Sequence, residues 1–90
     1  MSESLEVRRK RLRFRSWHRG TKEADLLLGG FADGHLAAMD KAELDLFEDL
    51  LSEPDPSLMV WMTGRAAPPD RLDHPVMRKL LAYTLGPREA

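Results

Sequence analysis

Apolar residues in this chain recur at the spacing of a helix and nowhere at the spacing of a strand. Ala24, Leu27, Leu28 and Phe31 fall at i, i+3, i+4 and i+7, and Leu44, Phe47, Leu50 and Leu51 make a second such stripe. No segment alternates apolar and polar with period two, and no turn dipeptide joins two β-branched runs. A chain patterned in this way has to bury helix stripes against one another. Glycines and prolines cut the pattern into short pieces, so the expected fold is all-α: a small bundle of five short helices around one core. Ninety residues suit a single domain, which buries roughly 60–65% of its unfolded surface. The domain is expected to span residues 1–90, with an ordered core of about 3–86 and frayed ends.

The first helix is expected from about Glu3 to His18, with acids in its first turn and bases after them, as the helix dipole favours. Leu5 and Leu12 give it a thin apolar face, and Trp17 brings a large ring that needs a packing partner. Gly20 is expected to stop this helix or to cap the next, which puts Glu23 at the third helical position, facing orphan amides. Gly29 and Gly30 weaken the second helix but allow close approach. Gly34 is its expected end. Asp40 with Glu43 reads as a capping box for the third helix, to about Ser52. Asp55 as N-cap and Pro56 as first residue open a short fourth helix, ended by Gly64. The fifth starts at Asp70 or at His74 and stops at Gly86-Pro87. Phe31, Leu44, Phe47, Leu51, Leu58, Trp61, Leu80 and Tyr83 are the expected buried set.

Charge is unevenly spread. Residues 1–23 hold eight Arg or Lys against three Glu, a net +5, and the remaining residues carry −6. Such polarity speaks of association, not of fold. The acidic side of the third helix, Glu43, Asp45, Glu48 and Asp49, reads first as a solubilising face, and second as a docking face for basic residues. The basic run from Arg8 to Arg19, with Phe14 and Trp17 interleaved, is a candidate phosphate-binding element. The nearly balanced total charge and the absence of any known nucleic-acid motif leave solvation or protein docking as the favoured readings.

Much chemistry is excluded. There is no cysteine, hence no disulfide and no thiolate site. His18, His35 and His74 do not share metal-ligand spacing. Neither GxGxxG nor a P-loop is present. A core this small leaves little room for a deep substrate cavity. The expectation is therefore a non-enzyme, with no catalytic residue, no metal and no cofactor held stably. No apolar run is long enough to span a membrane, and Met1–Glu6 is polar and acidic, so the expected placement is cytoplasmic rather than the mitochondrial matrix.

The segment that remains is Arg19-Gly20-Thr21-Lys22-Glu23-Ala24-Asp25. It resembles the RGxxE motif of the succinate dehydrogenase assembly factors of the SdhE type. The flanks match too: Arg-Ser-Trp-His before it, Asp25 to Phe31 after it, and downstream Glu53-Pro54-Asp55-Pro56 with Trp61. The resemblance covers about residues 8–85. It implies a five-helix bundle that binds the flavoprotein subunit of succinate dehydrogenase, and in some bacteria that of fumarate reductase, and promotes covalent attachment of FAD to it. Carried over by position, Arg19, Gly20, Glu23 and Asp25 are the partner-binding residues, with Arg15, Trp17 and His18 beside them. The free protein is expected to be a monomer. The alternatives are an antitoxin-like interaction module and a nucleic-acid-binding bundle. Arg19 and Glu23 sit at a helix junction, so both are expected to be exposed and to matter for a partner more than for the fold.

Overall fold

The computed structural model describes residues 3–86. The expected fraying of the two ends concerns residues outside that range. Five α-helices follow in order: α1 Leu5–Trp17, α2 Lys22–His35, α3 Lys41–Leu51, α4 Asp55–Met62 and α5 Pro75–Leu85. Single 3-10 turns at Leu36–Ala38 and Asp70–Leu72 join α2 to α3 and lead into α5. Among the described residues there is no strand. Helix α1 lies along α2 and crosses α3, while α5 closes the bundle against α2, α3 and α4.

Caps set most boundaries. Ser4 Oγ accepts the Val7 amide at 3.1 Å and starts α1. The capping box at α3 is present: Asp40 Oδ1 accepts from the Glu43 amide at 2.9 Å, and Glu43 Oε1 accepts from the Asp40 amide at 3.3 Å. Three boundaries differ from expectation. Thr21, not Gly20, caps α2 through its hydroxyl on the Ala24 amide, so Glu23 stands at the second helical position. Gly34 does not end α2; the helix runs on to His35 and then tightens into the 3-10 turn. Helix α4 starts at Asp55 with Pro54 as its cap, because the Asp55 carboxylate is already taken by Arg19. The fifth helix takes the later of its two starts. His74 Nδ1 accepts the Met77 amide at 3.0 Å, and burial holds this imidazole below the usual histidine range.

The core gathers Leu12, Leu28, Phe31, Phe47, Leu58, Met62 and Leu80, all 1% exposed or less. Phe31 and Phe47 meet at its centre with ring centroids 5.6 Å apart. Each contributes about 1.5–3 kcal/mol by leaving water. Two expected core residues are not there. Tyr83 is 45% exposed, its ring edge-on to Phe31 at 5.9 Å. Trp61 is half-buried at the margin. Both stand where a helix face turns from core to solvent. Trp17 does find its partner: its indole lies over Gly29, where a Cβ would collide with the ring.

The basic and acidic helices meet inside the molecule. Arg8 reaches Asp45 at 2.6 Å and Glu48 at 2.9 Å. Arg11 reaches Glu48 at 3.0 Å and Glu3 at 2.9 Å. Hydrogen bonds from Arg11 and Arg8 hold the Glu48 carboxyl below the usual range, and Arg8 does the same to Asp45. Arg9 donates to the Leu36 and Met39 carbonyls and ties α1 to the turn after α2. Asp45 and Glu48 of the acidic face of α3 therefore dock α1, while Glu43 pairs with Lys79 of α5 and Asp49 stays exposed.

Candidate functional site

The RGxxE junction lies between α1 and α2, against the turn that joins α3 to α4. Gly20 makes the bend with φ +124°, a region that L side chains rarely adopt. This bend turns the Arg19 side chain inward. Its Nε donates to Asp55 Oδ1 at 2.9 Å, Nη1 to the Leu51 carbonyl at 2.8 Å and Nη2 to the Glu53 carbonyl at 3.1 Å. The Arg19 amide donates to Asp25 Oδ1 at 2.6 Å. The side chain is 10% exposed, so the expectation of a surface cation is corrected. A planar guanidinium with donors in a fixed fork can satisfy one carboxylate and two carbonyls at once. The carbonyls come from the end of α3 and the turn after it, which lack helical partners.

Glu23 behaves differently. In the first turn of α2, it is exposed, next to the positive end of the helix dipole. It forms one wall of an open cleft of about 470 Å³. Pro56, Met59 and Val60 of α4 give it an apolar lining, and Thr21, Thr63 and Arg65 line it as well.

The other candidates divide in the same way. Asp25 is spent on the Arg19 amide. Arg15 is half-buried, 3.4 Å from the Leu51 carbonyl and 3.9 Å from Glu48. Trp17 donates from Nε1 to Asp33 at 3.3 Å, and Arg13 pairs with the same carboxylate. His18 is exposed, held by Nδ1 on the Phe14 carbonyl at 2.7 Å and stacked on the Phe14 ring at 3.9 Å. Phe14 itself is 63% exposed. The junction thus brings Arg19, Gly20, Asp25 and Arg15 into one internal lock, and leaves Glu23 on one surface and His18 on another.

Sequence reasoning missed Asp55 as the partner of Arg19, having assigned it to a cap. The signal was the Glu53-Pro54-Asp55-Pro56 turn, which has acids but no base close by in sequence. It also missed the cleft, because Met59 reads as core and Val60 and Arg65 belong to no motif.

The cations of α1 are mostly committed inside the molecule, which weighs against phosphate binding. Among the described residues no helix is long and apolar enough to cross a membrane, and no group of His, Asp or Glu is placed to hold a metal.

Comparison with known proteins agrees with the motif. The family model described as flavinator of succinate dehydrogenase matches residues 10–84. An FAD assembly factor SdhE from Acetobacter pasteurianus is 40% identical over 79 residues, 88% of this chain and 72% of the relative. Succinate dehydrogenase assembly factor 2, mitochondrial, of Candida glabrata is 44% identical over 70% of this chain, and that of Mycosarcoma maydis 44% over 81%. The chain spans 41% and 31% of those two relatives. A match over nearly the whole bundle places this chain in the flavinator of succinate dehydrogenase family.

Proposed function

We propose that this protein is an FAD assembly factor: it binds the flavoprotein subunit of succinate dehydrogenase and promotes covalent attachment of FAD to that subunit. The observation that carries this is the junction. Arg19 fixes the turn from within, so Glu23 is presented on a rigid base beside an open cleft. A helper for flavin attachment need only hold its client in a competent geometry, since the flavin supplies the bond-forming chemistry. A carboxylate held by the scaffold loses little freedom on binding, which favours that task.

The finer parts of the reading go with it. Glu23 contacts the client directly, and Gly20 lets the client main chain come close. Arg19 and Asp25 shape the contact from behind, with Arg15 and Trp17 supporting them and His18 at the edge. The protein has no turnover of its own, retains no FAD through purification, and is a cytoplasmic monomer when free. The fumarate reductase flavoprotein is a further client. The test is co-expression of the flavoprotein subunit with this chain, scored by covalent flavin fluorescence on the denatured subunit. Flavin should appear with the wild type and fall sharply with Glu23→Ala. Equal covalent flavin with and without this chain would overturn the proposal.

A further inference from the structure

The cleft beside Glu23 has a composition that says more about what enters it. Its floor is apolar and comes from α4, about forty residues beyond the motif in sequence: Pro56, Met59 and Val60. Met59 and Val60 are only half-buried, and Pro56 is exposed. Glu23 and Arg65 both line it, one with a carboxylate and one with a guanidinium. Both residues are exposed, and neither forms an ion pair among the described residues, in a molecule where most other arginines do.

The rim also has unused hydrogen-bonding capacity. Thr21 Oγ accepts the Ala24 amide, so its O–H is free to donate outward. Thr63 donates its O–H to the Met59 carbonyl at 2.6 Å, so its oxygen is free to accept. One free donor, one free acceptor, an apolar surface and two opposite charges line the same cleft. That set complements an extended peptide, which offers a carbonyl, an amide and a side chain in succession.

We infer that this cleft receives an extended segment of the flavoprotein subunit, with a basic residue against Glu23, an aliphatic side chain on Met59 and Val60, and an acidic residue against Arg65. The inference rests on the proposed function, since it names the client's own chain as occupant. It extends the contact surface from the motif to α4 and the loop after it. The RGxxE segment alone then does not define recognition; Val60 and Arg65 take part.

The experiment measures binding of the purified apo flavoprotein subunit to the wild type, Val60→Arg and Arg65→Glu, with thermal melts alongside. Arg65 is exposed and forms no ion pair among the described residues, so its reversal leaves the fold intact even if Val60→Arg disturbs packing. Each variant should weaken binding about tenfold or more, the scale of losing one central interface contact, with Arg65→Glu melting as the wild type does. A photo-crosslinker at position 60 should capture a peptide of the flavoprotein subunit that carries a basic residue. Wild-type binding with both variants within about twofold of it, or a crosslink to flavin in place of peptide, overturns the inference. Absence of any wild-type binding overturns the proposed function itself, so the two failures are distinguishable.

Discussion

Arg19 and Glu23 stand four residues apart in one motif, and their side chains serve opposite ends. Arg19 is turned inward and makes three hydrogen bonds, to α4, to the end of α3 and to the turn between them. Glu23 is turned outward and lines a cleft. The same split runs through the whole molecule. Arg8, Arg11, Asp45 and Glu48 are committed to joining α1 to α3. Glu23 and Arg65 are among the exposed charges that form no ion pair among the described residues. Inward charges define the shape, and outward charges are available to a partner. A motif with one of each couples the two, since moving Arg19 would move the base on which Glu23 stands.

The largest expected effect breaks the inward half. Arg19→Ala leaves the Asp55 carboxylate and two carbonyls without their donor. Removing one partner of a largely buried pair costs about 2–3 kcal/mol after allowing for partial exposure. In a domain of this size that lowers the melting temperature by roughly 10–20 °C. Arg19→Lys should recover only part of it, because an ammonium cannot reproduce the fork. A melt within about 2 °C of wild type for Arg19→Ala would break the comparison.

Gly20→Ala comes next, since φ +124° is strained for any residue with a Cβ. About 1–2 kcal/mol of destabilisation is expected, read by chemical denaturation. There is room at the site, with only Asp55 at 3.8 Å from the added methyl group, so the loss reports the backbone and not a clash.

Acid should weaken two of the inward groups. Glu48 and His74 both have folded pKa values below their ordinary ones. The unfolded chain therefore binds more protons in each window, and stability falls as pH falls. For His74 the stability is complete above about pH 6.5 and declines below it; for Glu48 it is complete above about pH 4.3 and declines below that. Since a protonated Nδ1 cannot accept the Met77 amide, the His74 step is worth at most about 1 kcal/mol. His74→Asn keeps the cap without the titration and should flatten the melting curve between pH 7 and 5. An unchanged slope in that variant would remove His74 as the cause.

The smallest effect on the fold is expected at Glu23. Glu23→Ala should shift stability by less than about 0.5 kcal/mol, as exposed charges do, while client binding falls. A large melting shift would show that Glu23 is turned to structural use after all, and the contrast with Arg19 would be lost.

The helices were legible because their stripes, caps and breakers are local. Phe31, Leu44, Phe47 and Leu80 lie in the core as their spacing says, and Asp40 with Glu43 forms the expected box. The role of Arg19 was not legible, because its partners lie 32 to 36 residues away and two of them are main-chain carbonyls. No side-chain pattern encodes a carbonyl left free by a helix end. Asp55 illustrates the same limit: an acid before proline suits a cap equally well, and only the fold places a guanidinium on it. The α1–α3 ion pairs were half legible, as two oppositely charged faces whose meeting is a matter of packing. The Glu23 cleft was not legible at all, since its floor comes from a helix read only for its buried side.

The paired glycines of α2 have a consequence for how the motif comes into being. Taken by itself this helix is poor, since Gly29 and Gly30 each cost about 1 kcal/mol of helical preference, and fourteen residues are marginal in water even without them. The bare positions are covered from outside, by the Trp17 indole over Gly29 and the Tyr83 hydroxyl over Gly30. Helix α2 therefore draws its stability from the first and the last helix of the chain, packed on it at these two positions. The segment that presents Glu23 is then expected to be poorly helical as an isolated peptide, which circular dichroism of residues 19–35 checks.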